Sequence, residues 1–181
     1  MPEASSDASI LIAVSWQALS RAIQHTETEV CDSTVVILFS AFFIEANLNH
    51  IINELGRKQE LLDFLYSRKH RGEKYPGLQD KLGWFYNSFI ENSPAVNKHQ
   101  MYSDGIKEKL QEKFPGFDLI YDFRNKLSHG EVNKSIANRN NAEKLRQQAK
   151  DIVNKLFDVV VAKTGHNISR EVTYKNAITL H

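Results

Sequence analysis

Residues 33–56 constrain the fold most. Val35 to Phe43 is apolar on nearly every side, and Leu48, Ile51, Ile52 and Leu55 carry the pattern on at helical steps. Val35, Val36 and Ile37 alone would equally suit a strand, but the length of the continuation decides for a helix. It is expected from Ser33 to Leu55, with Ser33 or Thr34 as N-cap and Gly56 as the stop. A helix apolar on all sides has to be covered on all sides, which predicts the central, most buried element. Stepping by three and four residues places Leu38, Ala41, Phe42, Glu45, Leu48, Asn49 and Ile52 on one face. Glu45 is then a carboxylate in an apolar stripe. It needs a cation or several donors, because desolvation otherwise costs several kcal/mol.

Three further amphipathic segments provide the cover. Upstream, Ser9 is an N-cap candidate, and Ile12, Trp16, Leu19, Ile23 and Val30 draw one stripe on a helix ending between His25 and Cys31. The third main helix begins near Asp118 and carries Leu119, Ile120, Phe123 and Leu127. The fourth presents Ala142, Leu145, Ala149, Ile152, Val153, Leu156 and Val160 on one face, with Lys144, Gln147, Lys150, Asp151 and Asn154 opposite, and stops at Gly165. The predicted class is all-α: an up-and-down four-helix bundle with a helical insertion, residues 57–116, between its second and third main helices. The insertion holds a short helix at Leu61, Leu62 and Leu65, a basic cluster, and an amphipathic helix through Leu78, Leu82, Phe85 and Phe89. A polar loop follows, then a helix with Ile106, Leu110 and Phe114, capped by Ser103 or Asp104 and stopped by Pro115-Gly116. Residues 1–8 fray, 131–138 form a polar connection, and 166–181 make a tail that is either a short strand or an extended arm.

Composition narrows the class of function. A chain of 181 residues with 41% hydrophobic and 25% charged residues suits one globular domain, residues 1–181. The net charge of +1 leaves no global basic field, so any nucleic-acid contact has to come from a local patch. The lone Cys31 has no internal disulfide partner, and its surroundings suggest a buried thiol. No basic-then-apolar leader is seen, and the longest apolar run, Val35 to Ile44, is too short for a bilayer. The expectation is a cytoplasmic protein without a membrane partner.

The richest chemistry lies in Arg124-Asn125-Lys126-Leu127-Ser128-His129-Gly130. On an unbroken helix, Arg124 and His129 would point about 140° apart. For the two to cooperate within one chain, the helix has to loosen or end between them, which Ser128 and Gly130 permit. The pair suits phosphodiester transesterification without a metal. A histidine takes the 2′-hydroxyl proton, and a guanidinium stabilises the charge gained by the phosphorane. One histidine cannot readily serve as base and acid together, whereas a two-fold dimer supplies two. The plain structural use of these residues is an arginine paired with Asp122 or Glu131 and a histidine capping a helix end.

The stretch resembles the signature of the HEPN superfamily, in which four to six residues separate an arginine from a histidine, often with a polar residue directly after the arginine. Asn125 takes that place, and four residues separate Arg124 from His129. Residues 41–50, Ala-Phe-Phe-Ile-Glu-Ala-Asn-Leu-Asn-His, are similar to the acidic, amphipathic second helix of many members. The likeness covers the four main helices; the insertion and tail have no counterpart in the minimal domain. It implies a homodimer with both motifs facing one cleft and a metal-independent endoribonuclease with no cofactor, of the kind found among toxins, antiphage effectors and RNA-processing factors. An antitoxin or other regulatory protein is then an implied partner. The alternative is a catalytically inactive HEPN-like module that dimerises and binds nucleotide, RNA or protein.

Supporting roles follow. Glu45 is expected to pair with Arg124, and Asn49, one turn on, to join that pocket. Asn125 and Ser128 contact phosphate or cap the helix, capping being the expected role of Ser128. Lys126 faces solvent or phosphate. The cluster Arg68, Lys69, Arg71 and Lys74 is a candidate path for an RNA backbone, although such runs are commonly solvated loops. Tyr75, Trp84 and Tyr86 lie near enough to stack on bases, though a tryptophan on an amphipathic helix is more often core. The remaining histidines show no ligand spacing, so no metal site is predicted.

Overall fold

The structure, a computed structural model, describes residues 30–65, 76–91, 97–103 and 105–168. Its central element is helix α1, Val30–Glu54. α1 begins earlier than expected, so Ser33 is no cap: it lies inside the helix, fully buried, with its hydroxyl unpartnered. Thr34 is no cap either, since its Oγ1 donates back to the Val30 carbonyl (2.7 Å). No glycine or proline precedes Ser33 closely enough to stop the helix, and a hydroxyl can bond the carbonyl four residues back. Gly56 is the stop. At φ 65° it allows Arg57 N–H to reach the Ile52 carbonyl and Gly56 N–H the Asn53 carbonyl, both at 3.0 Å, which closes the last turn.

α1 also corrects the bilayer estimate. Its stretch Asp32–Glu54 is long and apolar enough, by length and composition, to cross a membrane, and 61% of its apolar window is buried within the protein. Ser40 and Asn47, which interrupt the apolar run, cost little there. Ser40 Oγ donates to the Val36 carbonyl and Asn47 Nδ2 to the Phe43 carbonyl, each at 2.8 Å, so both groups bond back to their own helix.

The chain continues through α2 (Lys58–Leu65) and α3 (Leu78–Phe85), which runs on as a π-helix over Tyr86–Glu91. It then forms α4 (Lys98–Ser103), α5 (Ile106–Lys113), α6 (Phe117–Ser128) and α7 (Arg139–Thr164). The described residues are all-helical, without strands. α1 packs most extensively against α7 and next against α6. These are the second, fourth and third main helices of the expected bundle; the first, through Ile12 to Ile23, lies outside the described residues. So do residues 1–8, the Cys31 side chain, Tyr75, Asp104, the tail from 169 and the cluster Arg68, Lys69, Arg71 and Lys74. In α7 every predicted core position is buried, Phe157 joins them, and Asn138 Oδ1 caps the helix by accepting from Asn141 N–H (3.0 Å).

The segment between α1 and α6 is no appendage. Trp84, Phe85 and Phe114 are among the largest fully buried side chains, and α3 packs directly on α1. A helix, α4, replaces the expected polar loop. Met101 is its only buried residue, and it seats on Gly83, where a Cβ would lie 2.4 Å from its sulfur. Ser103 does not cap α5: its Oγ donates to the Gln100 carbonyl, and α5 starts from Gly105 at φ 72°. The polar connection also reaches the core, burying Ile136 and Ala137. Asn133 Oδ1 holds that turn by accepting from the N–H groups of Ser135 (3.0 Å) and Ile136 (3.2 Å).

Candidate active site at the end of helix α6

α6 forms between two glycines in the left-handed region, Gly116 (φ 86°) and Gly130 (φ 83°), and buries Phe117, Ile120 and Leu127. The helix does not open between Arg124 and His129. His129 N–H still donates to the Asn125 carbonyl at 3.0 Å, so helical register holds through the motif. Closure comes one residue later, where Gly130 N–H reaches the Leu127 carbonyl (3.1 Å) and Glu131 N–H the Lys126 carbonyl (2.9 Å), the same motif that ends α1. Arg124 and His129 therefore keep a separation of about 140° around α6. One copy of the chain does not bring them together.

Arg124 is half-buried and His129 exposed. Arg124 Nη1 donates to Asn125 Oδ1 (2.9 Å), which draws the guanidinium toward the Asn125 face of α6. Among the described residues it has no carboxylate partner. Asp122 accepts instead from Lys126 Nζ (2.7 Å), a pair exposed on both sides, and this hydrogen bond holds the Lys126 ammonium above its ordinary value. Glu45 is taken as well: Lys81 Nζ donates to its Oε1 at 2.6 Å. The expected Glu45–Arg124 pair is thus replaced by one with a lysine on α3, thirty-six residues away, from the segment expected as a helical insertion. The stripe assigned to Glu45 is also split. Ala41, Leu48 and Ile52 are buried, Phe42 is 39% exposed, and Leu38, Glu45 and Asn49 are half-buried at the rim. Asn49 makes no side-chain hydrogen bond among the described residues; on α1 it is Asn47 that is buried. Ser128 Oγ donates to the Arg124 carbonyl four residues back (2.7 Å), the same back-bond that Thr34 makes, and so does not take the expected capping role.

Trp84 is fully buried, which excludes it from stacking on a ligand. Two features escaped the sequence reading. His50 on α1 is buried with Nε2 unpartnered, 6.5 Å from the Phe157 ring centre; burial pushes its pKa down, against a smaller raising effect of Glu54. Beside α6, facing α3 and α5, lies a cavity of about 140 Å³ bordered by Leu110, Phe117 and Tyr121. Its only signal in the sequence was an aromatic residue one turn before Arg124. No family model, curated protein or solved structure matches the chain.

Proposed function

We propose that the chain is an endoribonuclease of the HEPN type, cutting RNA by 2′-hydroxyl transesterification in a cleft between two copies. The observation that carries this reading is Arg124: a half-buried guanidinium held by Asn125, without an acidic partner among the described residues, five residues before the exposed His129. Asp122, two residues back and on another side of α6, is paired with Lys126 at the i,i+4 spacing. The guanidinium retains donors for a phosphate.

The four-helix bundle and the homodimer belong to the same proposal. His129 takes the 2′-hydroxyl proton as the O2′–P bond forms, and Arg124 stabilises the charge on the phosphorane. The P–O5′ bond then breaks, with the leaving oxygen protonated by His129 of a second copy. The products are a 2′,3′-cyclic phosphate and a 5′-hydroxyl. The separation of Arg124 from His129 around α6 supports the second copy, and the exposed Val35 and Phe42, seven residues apart on α1, offer apolar surface for it.

Purified protein incubated with single-stranded RNA in EDTA is expected to yield those ends. His129→Ala should lower the rate by about 10²–10⁴-fold, and Arg124→Ala by about 10²–10³-fold, with the dimer intact by sedimentation. Cleavage by His129→Ala at the wild-type rate overturns the assignment. RNA bound but not cut by the wild type assigns the inactive binding module instead.

A further inference from the structure

The cavity beside α6 lies on the same helix as the motif. Counting around α6 from Tyr121, Arg124 lies about 60° to one side and His129 about 80° to the other, with Asn125 and Ser128 between them. Phe117, Tyr121, Asn125 and Ser128 thus form one line, and a strand laid along it passes between the two motif residues. Arg124 is only about 4.5 Å further along the axis than Tyr121, within reach of a single nucleotide.

The lining has the chemistry of a base site. Phe117 and Tyr121 stack on each other with ring centres 5.9 Å apart, and Leu110 adds apolar floor. The polar rim has both donors and acceptors: among the described residues Gln79 and Lys107 make no side-chain hydrogen bond, and Gln111, whose Nε2 donates to Asp118 Oδ2 (3.2 Å), has no donor to its own oxygen. That mixture suits the edge of a nucleobase, which carries both kinds of group. Size narrows the occupant. At about 140 Å³ the cavity matches an engineered cavity that holds one aromatic ring, and it is well below the range that encloses a whole cofactor or drug-sized ligand. The sugar and phosphate have to stay outside, toward Arg124.

We infer that this cavity receives one base of a single-stranded RNA whose adjoining phosphate lies on Arg124. The inference rests on the ribonuclease reading above, and its test separates the two. The probe is a fluorescent 2′-O-methyl oligoribonucleotide, which cannot be cut, titrated against the full chain at several salt concentrations by anisotropy. Tyr121→Ala is expected to weaken binding about ten-fold or more with an unchanged salt slope, and Tyr121→Phe to stay near wild type. Arg124→Ala should reduce the salt slope by about 0.7 to 1. Gln79→Trp fills the cavity from the α3 side and should reproduce the Tyr121→Ala loss without removing any part of α6. If Tyr121→Ala and Gln79→Trp both bind like wild type while Arg124→Ala does not, the base site is overturned and the ribonuclease reading stands. If the wild type fails to bind the oligonucleotide, both fall. A nucleoside 5′-monophosphate bound as tightly as the oligonucleotide, and lost in Tyr121→Ala, makes the ligand a free nucleotide and overturns the strand.

Discussion

His50 shows how one residue can make the whole chain sensitive to acid. Its imidazole is buried against Phe157, and Nε2 has no partner among the described residues, so protonation places a charge in a largely desolvated site. The folded pKa is therefore below the ordinary value of 6.5 that the unfolded chain retains. Between those two values the unfolded state binds more protons, so stability rises with pH there and is lost as pH falls from about 6.5 toward the folded value. Urea midpoints compared at about pH 7.5 and about pH 5.5 should show this loss in the wild type and a smaller one in His50→Leu. Equal pH dependence in both would remove His50 as the cause. The same scale explains Glu45. A carboxylate in an apolar stripe announces that a cation is needed, and Lys81 shows that the nearest suitable one came from another helix.

Helix ends carry the argument at the next scale. α1 and α6 close with the same pair of hydrogen bonds onto a glycine with positive φ, and α6 also starts from one. Gly130 has open space where a Cβ would go, so alanine there meets only backbone strain, about 1–2 kcal/mol. Gly116 adds a collision, because its Cβ would lie 2.2 Å from the Gln148 side chain on α7. Gly116→Ala is therefore expected to destabilise more than Gly130→Ala. In a Gln148→Ala background its cost should fall back to about 1–2 kcal/mol, leaving the strain alone. A double-mutant cycle by chemical denaturation measures both; additive costs would show that the Gln148 side chain swings aside without cost.

For the whole molecule, the question is whether residues 57–116 are an attachment or part of the core. Phe114 is fully buried and Lys155 of α7 lies over its ring (5.9 Å), while Lys155 Nζ also donates to the Lys113 carbonyl at 2.6 Å. α5 is thereby fastened to α7 across the chain. Phe114→Ala should then cost about 3–5 kcal/mol in a single cooperative transition. Two separate transitions followed by circular dichroism and tryptophan fluorescence would instead mark the segment as an independent unit.

Local pattern was enough to determine the helical class, the buried face of α7, the stops at Gly56, Gly130 and Gly165, and the motif at the end of α6. These follow from period, from the freedom of glycine at positive φ, and from residue types a few positions apart, all properties of neighbouring residues. Tertiary structure alone decided that Lys81 neutralises Glu45, that Met101 turns a polar stretch into a helix seated on Gly83, and that Tyr121 borders a cavity. Each depends on residues distant in sequence arriving at one place. Competition for partners in a packed interior is settled by which side chain arrives, and no local spacing encodes that.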